Sequence, residues 1–124
     1  MQRPRDPEAL RVLVVDDDDA VRTVLSSVLA EEGFDVVGAA ADGLEATTLA
    51  QSLHPDTVVL DVRMPGVGGI EAARRIRALD SEIRLVMLSA YDDPMLQREA
   101  ADAGASSFLI KGCALSDLAH AIAG

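Results

Sequence analysis

Five short, unbroken apolar runs, each followed by a stretch of helical periodicity, constrain this chain more than any other feature. The first run is Val12, Leu13, Val14 and Val15. Behind it Val21, Val24, Leu25, Val28 and Leu29 recur at i, i+3, i+4, i+7 and i+8, the spacing of one face of an α-helix. Asp18 or Asp19 can cap that helix, and Gly33 closes it. A second strand is predicted over 35–40, then a helix with Leu44, Leu49 and Leu53 inward, stopped before Pro55. The third strand, 57–60, leads through the loop 64–69 to a helix with Ile70, Ala73, Ile76 and Leu79 inward. The fourth strand, 85–88, is followed by Asp93 as a cap and Pro94 as the first residue of a helix that Gly104 stops. The fifth, 107–110, precedes a last helix near 114–123 with Leu115, Leu118, Ala119 and Ile122 inward.

Strands that are apolar throughout, without alternation, are buried on both faces of a parallel sheet. Regular strand–helix alternation makes the fold a three-layer α/β structure. Five units are too few to close an eight-stranded barrel. The prediction is therefore an α/β fold with an open, doubly wound, five-stranded parallel sheet, flavodoxin-like, strand order 2-1-3-4-5, and five helices. Residues 1–9, polar and carrying Pro4 and Pro7, read as a flexible N-terminal arm, and residues 10–124 as one domain.

Polar residues stand where the strands end: Asp16 and Asp17 after the first, Asp61 after the third, Ser89 after the fourth, Lys111 after the fifth. In an open α/β sheet that edge binds ligands, at the point where the strand order reverses. Asp16, Asp17 and Asp61 should therefore converge. Three carboxylates in one crevice repel one another unless a cation joins them. Oxygen ligands without His or Cys suit Mg²⁺, which also bridges carboxylates to phosphoryl groups. Lys111 can hold a phosphoryl oxygen, and the Ser89 hydroxyl can donate to another. Asp61, alone on the central strand, is the candidate nucleophile, forming an acyl phosphate.

Together VLVVDDD at 12–18, VVLDVRMPGVGG at 58–69, LSA at 88–90 and FLIKG at 108–112 resemble the receiver domain of two-component response regulators, over about residues 10–123. The resemblance implies that Asp61 is the phosphoacceptor, that Asp17 ligates Mg²⁺ directly and Asp16 mainly through water, and that the Arg63 backbone carbonyl is a further ligand. It implies Ser89 as the switch hydroxyl, Phe108 as the switch aromatic and Lys111 as the family's lysine. It further implies a histidine kinase as donor, and an altered surface on strand 4, helix 4, strand 5 and helix 5 that controls a downstream effector. Gly112 departs from the proline that often follows the family lysine, so a trans Lys111–Gly112 peptide is expected. That KG pair and Arg63 resemble receivers whose effector is a helix-turn-helix DNA-binding domain. Pairing of two copies, through helices 4 and 5 or through helix 1, stays open. The resemblance also implies that Tyr91 and Arg63 flank the route of attacking water.

Charge and composition exclude other classes. A net charge of −10 repels phosphate backbones, so direct nucleic-acid binding by this domain is not expected. With aromatics at 2%, the core must be aliphatic. Cys113 is the only cysteine, which fits a reducing compartment. No apolar run nears the roughly 18 residues of a membrane span, and the opening MQRPRDPEALR lacks a signal peptide's apolar stretch, so the expected location is cytoplasmic. His54 and His120 read as surface residues, and Met95 and Leu96 as exposed. Two other functions compete. A haloacid-dehalogenase-type phosphatase also uses an aspartate after a strand, and Asp16 and Asp18 mimic its DxD. However, Ala20 replaces the Thr or Val that motif wants, and the chain has no room for a cap domain. A pseudo-receiver would be a phosphorylation-independent interaction module with a silent site. The complete residue set argues for the switch, a signalling protein without external substrate turnover.

Overall fold

A computed structural model of the protein describes residues 9–124; most of the arm expected at 1–9 lies outside the described residues. The chain alternates β1 (Arg11–Val15), α1 (Asp19–Glu31), β2 (Asp35–Ala40), α2 (Gly43–Leu53), β3 (Thr57–Asp61), α3 (Gly69–Leu79), β4 (Arg84–Ser89), α4 (Pro94–Asp102), β5 (Ser107–Ile110) and α5 (Leu115–Ala123). All strand pairs are parallel, and the sheet order is β2-β1-β3-β4-β5, as predicted.

Successive strand side chains point to opposite faces, and the two faces make two cores. Leu13, Val15, Val58, Leu60, Leu85 and Met87 pack with Ala46 and Ala50 of α2, Ala72, Ala73 and Ile76 of α3, and Ala100 of α4. On the other face Val12, Val14, Val59, Val86 and Leu88 pack with Leu29 of α1 and with Leu118 and Ile122 of α5. β3 is buried at every residue, whereas β5 is half-buried throughout and β2 nearly so. Continuous apolarity thus marks burial on both faces only in the middle of the sheet, because an edge strand has one neighbour.

The helix faces need correction. Val21 is 38% exposed, Val24 61%, Leu44 60% and Leu79 47%, although periodicity places all four inward. α1 lies over β1 and β2 at the sheet edge, so the flank of its apolar stripe stays wet and Leu29 alone is fully covered. α2 approaches through the small residues Ala46 and Ala50, which leaves Leu44 outside. Met95 is exposed as expected, but Leu96 packs against the core. His54 and His120 are exposed.

Helix ends follow the local chemistry. Asp18 caps α1, accepting from the Ala20 and Val21 N–H groups, while Asp19 falls inside the first turn. Asp93 caps α4 ahead of Pro94. At α2, Asp42 accepts from the Glu45 N–H while Glu45 accepts from the Ala41 N–H, close to a reciprocal capping box. No peptide bond among the described residues is cis, so Lys111–Gly112 is trans.

Candidate functional site

β1, β3, β4 and β5 end at the same edge of the sheet, and residues at or just after their ends line one crevice of about 340 Å³. Its walls are Asp16, Asp17, Asp18, Val21, Asp61, Arg63, Ser89, Ala90, Tyr91 and Lys111. Asp16, Asp17, Asp61, Arg63, Ser89 and Lys111, all singled out from the sequence, are therefore together. Phe108 is not among the lining residues: it pairs with Met87 and packs, half-buried, against the α2–α4 core.

The carboxylates converge. One oxygen each from Asp16, Asp17 and Asp61 lies within 4.8 Å of the others. Asp16 and Asp61 are buried, and Asp17 is exposed at the mouth. Lys111 Nζ reaches Asp16 Oδ2 at 3.0 Å and Asp61 Oδ2 at 3.1 Å. An ammonium has three donors, so one remains. Asp16 Oδ1 accepts from the Asp18 N–H at 2.9 Å, and Asp61 Oδ1 accepts from the Arg63 N–H at a longer 3.4 Å.

Burial raises the Asp61 carboxyl above its usual value, more than the Lys111 bonds and the Arg63 N–H lower it, and the Asp16 charge adds to the rise. Lys111 is pulled down by its own burial, but the hydrogen bonds to Asp16 and Asp61 outweigh this and leave it raised. The lysine is therefore a fixed positive charge, and Asp61 a desolvated carboxylate short of compensation. Oxygen donors at this spacing, with net negative charge left after one lysine, fit a small hard divalent cation such as Mg²⁺.

Two supporting features have no clear signal in the sequence. Arg22, which reads as an ordinary i,i+3 partner of Asp19, also donates from Nη1 to the Asp16 carbonyl at 2.8 Å. Gly69, at the start of α3, sits so close to β3 that a Cβ there would fall 2.0 Å from the Asp61 carbonyl oxygen. Only glycine lets α3 begin against the residue it helps place. On the opposite wall, the Ser89 hydroxyl donates to the Tyr91 carbonyl at 2.9 Å and accepts from the Tyr91 N–H at 3.0 Å. The Arg63 guanidinium lies 5.3 Å from the centre of the Tyr91 ring, linking the loops after β3 and β4.

Comparison with known proteins identifies the family of this fold. The family model of the response regulator receiver domain matches residues 12–123. The response regulator GacA of Pseudomonas aeruginosa is 40% identical over 114 residues, 91% of this chain and 53% of GacA. The chain thus spans about half the length of that curated relative. The crystal structure of a LuxR-family two-component response regulator from Aurantimonas sp. SI85-9A1 superposes with a TM-score of 0.88 at 35% identity, covering 94% of this chain and 84% of that one. A chain of the CheX-CheY-BeF3-Mg²⁺ complex from Borrelia burgdorferi does so with a TM-score of 0.85 at 30% identity, covering 91% and 86%. This chain belongs to the receiver domains of two-component response regulators, a family of phosphorylation-dependent signalling modules rather than substrate-turnover enzymes.

Proposed function

We propose that the chain is a switch in which Asp61 accepts a phosphoryl group from a histidine kinase in a Mg²⁺-dependent reaction. The carrying observation is the three-carboxylate cluster with Lys111 bonded to two of its members. Asp16, Asp17, Asp61 and the Arg63 carbonyl would hold the ion, Asp17 directly and Asp16 mainly through water. The relative crystallised with Mg²⁺ and BeF3 supports that choice of metal. When bound, Mg²⁺ supplies positive charge against the developing charge of the transferring group.

An Asp61 carboxylate oxygen attacks phosphorus in line. An O–P bond forms, and the P–N bond to the donor imidazole breaks, its electron pair returning to the ring. Burial leaves the attacking carboxylate weakly solvated, so little water has to be stripped from it. Lys111 is preset, since its third N–H can pass to a phosphoryl oxygen while it still holds Asp16. Ser89 must leave the Tyr91 carbonyl before its hydroxyl can donate to the phosphoryl group. That exchange moves the β4–α4 loop, opens room for Phe108 to rotate inward, and remodels the surface of β4, α4, β5 and α5. The output is control of an effector, most simply transcription through a DNA-binding partner domain, with phosphorylation-dependent pairing of two copies as one route.

Incubation with acetyl phosphate and Mg²⁺, read by intact mass, tests the assignment. The wild type gains one phosphoryl group, and Asp61→Asn gains none. Undiminished labelling of Asp61→Asn rejects Asp61, and an unlabelled wild type favours a silent interaction module.

A further inference from the structure

The most exposed of the three carboxylates is also the least supported. Asp16 is gripped by Lys111 and the Asp18 N–H, and Asp61 by Lys111. Asp17 is different. Among the described residues, no hydrogen bond or ion pair fixes its carboxylate. Its aim is set by the backbone that carries it. That backbone has just left the sheet: Val15 is the last residue of β1 with strand partners, Ala40 and Leu60. The Asp16 carbonyl, one residue beyond, takes its hydrogen bond from Arg22 Nη1 at 2.8 Å. The other arm of the same guanidinium pairs with Asp19, and the Arg22 side chain is only 20% exposed. One fork thus ties the peptide that leads into Asp17 to the first turn of α1.

We propose that Arg22 is a positioning residue for the cation site, aiming Asp17 through the Asp16–Asp17 peptide; this rests on the reading that the acidic trio binds Mg²⁺. Removing Arg22 has two physical effects of opposite sign. Loss of a positive charge beside three carboxylates tightens cation binding. Loss of the fork frees the peptide and loosens it. The direction of the change therefore separates positioning from charge.

The test is a Mg²⁺ titration of the full chain at constant ionic strength, followed by amide NMR shifts and calorimetry. Thermal unfolding of each metal-free variant confirms that it is folded. Arg22→Ala is expected to bind Mg²⁺ roughly tenfold more weakly, the usual scale for a group that orients a metal ligand. Arg22→Lys keeps the charge and an N–H donor group but loses the planar fork, so its affinity falls between the two. Asp19→Ala removes only the exposed arm of the fork and leaves the Arg22 Nη1 bond to the Asp16 carbonyl, so it stays within about twofold of the wild type. Unchanged or tighter binding by Arg22→Ala overturns the proposal, as does an equal loss in Asp19→Ala. If Arg22→Ala does not fold, Arg22→Lys decides, and wild-type affinity there overturns the proposal. A wild type that binds no Mg²⁺ removes the underlying reading instead.

Discussion

In the proposed switch Asp61 would carry the chemistry, and the burial that suits it to that role also makes its charged form costly to the fold. Its pKa is raised, chiefly by desolvation. A raised acid contributes stability that is fully present below its unfolded value and lost as pH rises through its folded value. At neutral pH the charged form is therefore a liability. In metal-free buffer at pH 7, Asp61→Asn should melt a few degrees higher than the wild type, since the amide keeps the shape and its oxygen still accepts from Lys111. The gap should close toward pH 3, where the wild-type carboxyl is protonated. It should narrow with Mg²⁺, which stabilises the folded wild type by binding it. A lower melting temperature for Asp61→Asn in EDTA would show that the Lys111 pairing outweighs desolvation. Lys111 has the same sign in a higher window: its stabilisation is present at neutral pH and is lost only as pH rises above the ordinary lysine range, through its raised folded value.

The elements were legible where one local rule decides them and less so where packing does. Apolar runs, caps and closing glycines placed ten elements in order, because each signal acts within a few residues. Which helical side chains are covered depends on where the helix lies on the sheet. Val21, Val24, Leu44 and Leu79 show this: spacing puts them on an apolar stripe, but the neighbours cover only part of it. The end of α2 holds a further example. Pro55 gives the stop, yet the residue that turns the chain is His54, in the left-handed region at φ 49°. Its side chain is exposed and its carbonyl accepts from Arg11 Nη1 at 2.8 Å, a bond any residue could make. His54→Gly should stabilise the protein by about 0.5–1 kcal/mol, measured by urea unfolding, because glycine escapes the Cβ penalty of this conformation. Destabilisation would mean that the imidazole contributes more than its exposure suggests.

At the scale of the whole molecule, parallel topology makes the site. Residues 16, 61, 89 and 111 are far apart in sequence, but parallel strands bring all their C-terminal ends to one edge, and the order 2-1-3-4-5 puts β1 beside β3. Asp16, Asp17, Asp61, Ser89 and Lys111 were readable for that reason, since each sits just at or after a strand's end. Arg22 and Gly69 were not, because their contribution is a hydrogen bond to one carbonyl and a close approach to another, and neither leaves a pattern in residue type. Phe108 shows the opposite limit: sequence position marks it, but it stands in the core beside the crevice and not in its lining. In the proposed switch this convergence makes Asp61 the group phosphorylated with Mg²⁺. The most direct measurement is to treat the protein with acetyl phosphate, trap the acyl phosphate with borohydride, and locate the resulting homoserine by peptide mass spectrometry. Homoserine is expected at position 61 alone, and is lost when EDTA replaces Mg²⁺. Homoserine at 16 or 17, or modification undiminished in EDTA, would contradict it.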